Sequence, residues 1–385
     1  MSRKRILVSS RDVGAAINII EIVKLAKSNP DCDFFLYIQP PAAQYFSNHN
    51  LEYELVPNYI AKQQDSEEAK LILNYAGEIL EKIKPDVILC GLSTPGDAGI
   101  DEALITVAKN KIPTVVMQDF WGEVNDFFGA CADYYFCLDQ EAKALTEQRY
   151  DSKGLVIGSP RHSWYKSLEL IHLRKELRKK ADLSTEDIVI GLFGQSLHHI
   201  PGYKETLLDF LSLVPQACPE ATIVYRQHPR ESNEQALNTI RLLDNAKISF
   251  RLMKDEKVEH TLILCDAVCS ILSNCLYDAS YLNFFSPTPF ISPIALCYKE
   301  DILKHLNNYN MLNASPYRVK NIAYMFDNKK PGKDDLKFLF SENGKKEFWL
   351  GSQKLENPEY AAQKAFISLL NISDLTIDYL EQTVV

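Results

Sequence analysis

The chain has 385 residues, of which 46% are hydrophobic and 24% charged, a length and composition that fit two soluble globular domains. Its formal net charge of -9 argues against nucleic-acid binding through bulk attraction but leaves room for a local basic site. The basic N-terminus MSRKRILVSS has no long apolar core, and no window reaches 18 apolar residues, so the sequence predicts a cytoplasmic protein with neither signal peptide nor membrane span.

The first half alternates strands and helices. Strands are predicted at residues 5–10 (RILVSS), 33–39, 86–91, 112–119, 133–139 and 155–160. Helices are predicted after Gly14 to residue 27, at 66–84 with Ser66 as its cap and Pro85 as its stop, and at 101–110, with one more between the last two strands. Such alternation predicts a parallel sheet with helices on both faces. The charged stretch at 172–187 reads as a helix with a solvated lysine–arginine face plus a linker.

The second half restarts the pattern. Strands are predicted at 188–194, 221–229, 247–252, 266–270 and 290–296, and helices at 205–214, 258–265 and 274–282. The expected fold class is therefore α/β, two tandem doubly wound Rossmann-like domains facing a cleft. Residues 1–170 form the first domain, 171–187 the linker and 188–355 the second domain. A helix near 359–370 and a tail from 372 fill 356–385 and cross back to the first domain. The nine cysteines are scattered without a CxxC pair and read as reduced core thiols.

Ligands of open α/β sheets bind beyond the carboxyl ends of strands, so the chemistry there matters most. The nonapeptide IVYRQHPRE ends a buried strand in Arg226, His228, Pro229, Arg230 and Glu231. Arginine forks there suit a phosphate; the plain alternative is a solvated turn closed by Pro229. Gly194, Gln195 and Ser196 follow another strand, with His198 and His199 in the same loop as candidates for phosphate binding or proton donation. Ser270 ends a third strand, and Ser273 and Asn274 open a helix whose free N–H groups favour an anion, with simple capping as the competing role. Asp278, one turn on, is placed to accept from ribose hydroxyls.

The order strand, R-x-H-P-R-E, strand, S-x-x-S is similar to the donor half of GT-B glycosyltransferases. It resembles most the bacterial surface-polysaccharide enzymes related to CDP-glycerol glycerophosphotransferases and to sialyl- and Kdo-transferases with a His-Pro motif. The resemblance implies that His228 and Pro229 belong to a nucleotide-phosphate pocket, that Ser270 and Ser273 bind phosphate, and that Asp278 replaces a longer glutamate. VIGSPRHSW is similar to the V-x-G-x-P-R-x-D segment of such proteins, with Ser163 in place of the acid, and QDFWGEVNDFF resembles a D-x-W-x-N-type segment.

The first domain is then expected to hold the acceptor. Asp97, in the loop STPGDAGID, and Asp119, at a strand end, are the candidate bases, with Asp12 a weaker one. Trp121 is expected to stack on a sugar, Glu123 is a third acid, and Gly14 is expected to let an acceptor or diphosphate approach closely. Without a GxGxxG sequence no NAD site is expected, and no D-x-D element points to a metal or other cofactor.

The expected partners are a nucleotide-sugar donor of the CMP or UDP type and a saccharide or lipid-linked acceptor. Peripheral membrane association is compatible with the latter. Glycosyl transfer leads; a non-hydrolysing nucleotide-sugar 2-epimerase and a non-catalytic sugar-nucleotide or glycan-binding protein are the alternatives.

Overall fold

A computed structural model describes residues 3–254, 257–271, 273–308, 316–327 and 329–382. The chain divides into two compact units, Met1–Ser163 with Glu356–Val385, and Trp164–Leu355.

In the first unit seven strands form a parallel sheet: β1 (Lys4–Ser10), β2 (Cys32–Ile38), β3 (Glu54–Leu55), β4 (Val87–Gly91), β5 (Thr114–Met117), β6 (Tyr134–Cys137) and β7 (Lys153–Val156). Their order is β3-β2-β1-β4-β5-β6-β7, so the winding reverses between β1 and β4. Ile6, Leu7, Val8, Val87, Ile88 and Leu89 are all fully buried, as continuous apolar runs in a sheet covered on both faces require. The Glu67–Ile83 helix starts where Ser66 Oγ accepts the Ala69 N–H, and it ends at Lys84, in the left-handed region before Pro85. Its buried side chains Ala69, Ile72, Ala76, Ile79, Leu80 and Ile83 recur at helical spacing.

The last helix, Ala361–Gln382, packs on the Val13–Ala26 helix of the same unit. It runs on through the segment expected to be a tail from residue 372, because Ile372 is buried and Lys4 pairs with Asp374 at 2.7 Å. The final residues of that expected tail, 383–385, lie outside the described residues.

The second unit repeats the plan with β8 (Val189–Phe193), β9 (Thr222–Arg226), β10 (Ser249–Met253), β11 (Ala267–Ser270), β12 (Ser292–Leu296) and β13 (Tyr324–Phe326). All pair in parallel, in the order β10-β9-β8-β11-β12-β13, and the reversal falls between β8 and β11. Short elements past residue 296, such as β13 and the Lys333–Leu339 and Glu342–Ser352 helices, the two helices capped by Gly332 and Ser341, are too short to stand out in the sequence.

The lysine–arginine run departs from its expected solvated face. Arg174 and Arg178, on the Leu170–Lys180 helix, turn into the second unit. Arg178 donates to Leu264 O at 2.9 Å, to Thr185 O and Asp187 O at 3.0 and 3.1 Å, and to Asp266 Oδ2 at 2.7 Å. Arg174 donates to the carbonyls of Ile263, Cys265 and Phe290 and lies 3.4 Å over the Phe290 ring. The lysines of the run, Lys175, Lys179 and Lys180, are exposed. A charge count cannot separate these two sets; only the helix orientation does.

Candidate functional site

At the carboxyl edge of the second sheet, one pocket of about 160 Å³ is lined by Gly194, Arg226, His228, Pro229, Ser273 and Asp278, together with Phe193, Gln227, Val258 and Cys275. Three separate strand-end segments thus converge on it. Arg226 ends β9 and donates to Thr261 Oγ1 at 3.1 Å. Ser273 caps the Asn274–Phe285 helix, its Oγ accepting the Cys275 N–H at 3.4 Å, and Asp278 sits one turn further on, 6% exposed. The helix start and Arg226 supply positive potential, and Asp278 supplies an acceptor.

Other expected ligands have different duties. Ser270 is 2% exposed, and its hydroxyl lies 3.2 Å from Phe193 O and 3.0 Å from Gln195 Oε1. Gln195 also accepts the Ile271 N–H at 3.0 Å. The two side chains therefore tie β8 to β11 at the reversal, and Ser270 has no exposed hydroxyl for a phosphate. His199 is exposed, packs edge-on against His305 at 6.0 Å and does not line the pocket. Arg230 is exposed and Ser196 and Asn274 are half-buried; none of the three lines it.

Glu231, the acid that closes the R-x-H-P-R-E motif and had no role of its own assigned, organises this edge. Its fully buried carboxylate accepts the His228 backbone N–H at 2.7 Å, pairs with His198 Nε2 at 2.8 Å, and takes the Tyr225 hydroxyl at 3.4 Å. Gly194 leaves room for it: a Cβ at residue 194 would lie 2.2 Å from Glu231 Oε2. Gly194→Ala should therefore cost about 1–3 kcal/mol, the usual range for overpacking. An unchanged urea midpoint for the variant would show that the carboxylate moves freely. Its signal in the sequence is an acid placed six residues beyond a strand's apolar run, at the end of R-x-H-P-R-E.

His228 stands between two N–H groups. Its own backbone N–H goes to Glu231, and its Nδ1 accepts the Arg230 N–H at 3.0 Å. Burial, and then the Arg230 charge, lower its pKa to about 4, so the ring is neutral at pH 7.

The first unit gathers acids at its own carboxyl edge. Asp119 follows β5, and its Oδ2 occupies the place a Gly14 side chain would take, since a Cβ there would meet it at 1.6 Å. The group that Gly14 admits is thus Asp119, not a ligand, and the carboxylate rests on the first turn of the Val13–Ala26 helix. Burial raises Asp119 to about 6, with Arg161 opposing and Asp12 adding to the rise. Burial, then Asp119 and Asp12, raise Glu123 to about 8. Both side chains remain partly accessible. Asn18 holds the Arg161 segment in place, its Oδ1 accepting the Arg161 N–H at 3.1 Å and the Ser159 hydroxyl at 3.3 Å.

Asp97 pairs with Arg11 Nη1 at 2.6 Å, an arrangement that ties the carboxylate down. Asp12 accepts from Thr94 N and Oγ1 at 3.0 and 3.1 Å. Trp121 corrects the sequence expectation. It is 1% exposed, donates its indole N–H to Asp139 at 2.9 Å and has no face free to stack on a sugar. An aromatic near a strand end reads alike from sequence whether it faces solvent or core; the turn at Gly122, with φ of 62°, turns this one inward.

All nine cysteines are free thiols. Among the described residues no group of three His, Cys, Asp or Glu side chains is arranged to hold a metal, and no helix is long and apolar enough to cross a membrane.

No family model and no curated protein matches the chain. Solved structures do match. A UDP-GlcNAc 2-epimerase from Neisseria meningitidis, bound to UDP-GlcNAc, superposes with a TM-score of 0.67 at 14% identity, covering 95% of this chain and 100% of that one. MurG from Acinetobacter baumannii gives 0.59 at 11% identity, covering 96% and 99%. HepE from Anabaena, in complex with UDP, gives 0.56 at 13% identity, covering 98% and 100%. With the seven- and six-stranded parallel sheets, these likenesses establish a GT-B fold of two Rossmann-like domains.

Proposed function

We propose that the protein is a nucleotide-sugar glycosyltransferase whose second unit binds the donor's nucleotide and phosphates and whose first unit serves the acceptor. The observation that carries this reading is the convergence of Arg226, His228, Ser273 and Asp278 on one pocket at a helix start. An arginine, a neutral imidazole and helix N–H groups stabilise charge on a departing phosphate, and Asp278 faces ribose hydroxyls. Solved structures of the same fold hold UDP-GlcNAc or UDP, which supports a nucleotide ligand. In this reading, consistent with the His-Pro resemblance, the protein is a cytoplasmic enzyme of surface-polysaccharide or glycoconjugate synthesis, with a CMP- or UDP-type donor and a saccharide or lipid-linked acceptor.

In the first unit Asp119 is the better base of the two strand-end aspartates. Asp97 is held by Arg11, whereas Asp119 is raised toward neutrality and so accepts a proton more readily at its working pH.

Thermal shifts with CMP, CDP, UDP, GDP and dTDP test the nucleotide site first. Arg226→Ala is expected to weaken the best of them by about 10- to 100-fold, the weight of a hydrogen bond to a charged group. Calorimetry giving wild-type affinity in a folded Arg226→Ala protein would remove the donor assignment.

One observation favours a second reading. At pH 7 Asp119 is largely ionised and Glu123 largely protonated, the base and acid that a 2-epimerase needs to remove and return a proton. Deuterium entering C2 of a nucleotide sugar from D2O, with no acceptor present, would select the epimerase; sugar transfer that requires an acceptor would select the transferase.

A further inference from the structure

The pocket's histidine is held in a way that fixes which of its nitrogens faces a ligand. The turn from His228 to Glu231 is closed twice, by the Glu231 N–H on His228 O at 3.0 Å and by the Glu231 carboxylate on the His228 N–H at 2.7 Å. Gln227 Nε2 adds a bond to Glu231 O at 2.9 Å. This closure sets the Arg230 N–H opposite His228 Nδ1 at 3.0 Å. An amide N–H only donates, so Nδ1 carries its lone pair and the neutral ring carries its proton on Nε2. An imidazolium would set two N–H groups against each other. Among the described residues no protein group is hydrogen-bonded to Nε2, while the ring lines the pocket.

We infer that His228 meets an anionic ligand as a neutral imidazole donating from Nε2, and that Glu231 is the positioning residue that holds it in this tautomer. The inference rests on the reading of the pocket as a phosphate site. Glu231 does this from a fully buried place, and its second oxygen, held by His198, keeps it from turning away. The charged groups around the ring are Arg226 and Asp278 in the pocket, Arg230 beside it and Glu231 beneath it. The full positive charge of the site then belongs to arginine, and His228 adds direction, not charge. The depressed basicity of the ring agrees with this.

The test is nitrogen-15 NMR of the histidine rings of the full chain at pH 7 without ligand, with His228 assigned by its loss in His228→Asn. A protonated Nε2 and an unprotonated Nδ1 are expected. Calorimetry with UDP and CMP at pH 7.5 follows. His228→Gln keeps a donor near the Nε2 position and is expected to bind within about threefold of wild type. His228→Asn keeps only an acceptor near Nδ1 and is expected to lose about tenfold or more. Glu231→Gln is expected to lose about tenfold and to show both ring tautomers.

A ring that is cationic at pH 7 or protonated on Nδ1 overturns the inference, as does a His228→Asn protein that binds better than His228→Gln. Should Glu231→Gln prove unfolded, the two His228 variants still decide the donor. A wild-type protein with the expected tautomer that binds neither nucleotide overturns instead the reading of the pocket as a phosphate site.

Discussion

Asp119→Asn is expected to lower turnover of a nucleotide sugar by about 10²- to 10⁴-fold, the span usual for loss of a general base, with UDP or CMP affinity within about twofold of wild type. The amide keeps the shape against Gly14, so the close contact at the start of the Val13–Ala26 helix survives while the proton acceptor is lost. The pH profile of the wild type separates the two chemistries. A base raised to about 6 must be ionised, so activity rises as pH climbs through 6. If Glu123 works as the acid it must be protonated, so activity falls through about 8 and the profile is a bell. Glycosyl transfer that needs only the base gives the rising limb alone, and Glu123→Gln then stays active. Full activity in Asp119→Asn would move the base elsewhere, with Asp97 the next to test.

The second large effect is on stability. Asp266→Asn is expected to cost about 3–5 kcal/mol, because it leaves buried cations without their counter-charge. Asp266 lies 2.7 Å from Arg178, 3.4 Å from Lys345 and 3.8 Å from Arg174, and it also accepts the Val189 N–H at 2.9 Å where β8 begins. Burial works against its ionisation, but Arg178, then Arg174 and Lys345, outweigh that and hold its pKa below the ordinary carboxylate value. A carboxylate with a depressed folded value adds stability above its unfolded pKa, near 3.9, and loses it as pH falls through the lower folded value. The wild-type advantage over Asp266→Asn should thus be flat near neutrality and shrink only below about pH 4. Equal urea midpoints for the two proteins at pH 7 would show that the cluster contributes nothing net. The variant leaves the pocket alone, since Asp266 lies at the opposite edge of the sheet, at the amino end of β11.

Much of the frame was legible in the residues. Apolar runs such as Ile6-Leu7-Val8 announce strands covered on both faces, and Ser66 and Pro85 bracket a helix whose buried positions recur every three or four residues. Where side chains meet was far less so. Trp121 and Asp119 are two residues apart and both follow β5, yet one is sealed in the core and the other reaches the edge. The tail beyond residue 372 lacks a strong start or stop signal, and its helix persists because Ile372 packs inward and Lys4 meets Asp374.

By itself the sequence determined the local elements, the alternation that makes two parallel sheets and the crowding of basic groups after β9, because strand pattern, capping and charge are properties of neighbours along the chain. Only the tertiary structure decided that Asp119 fills the space above Gly14, that Glu231 rather than Ser270 shapes the pocket, and that Arg178 clamps the far edge of its sheet. Those contacts join residues dozens of positions apart or turn on which way a side chain faces. They exist only once the strand order has set which loops lie side by side and which atoms are shut away from water.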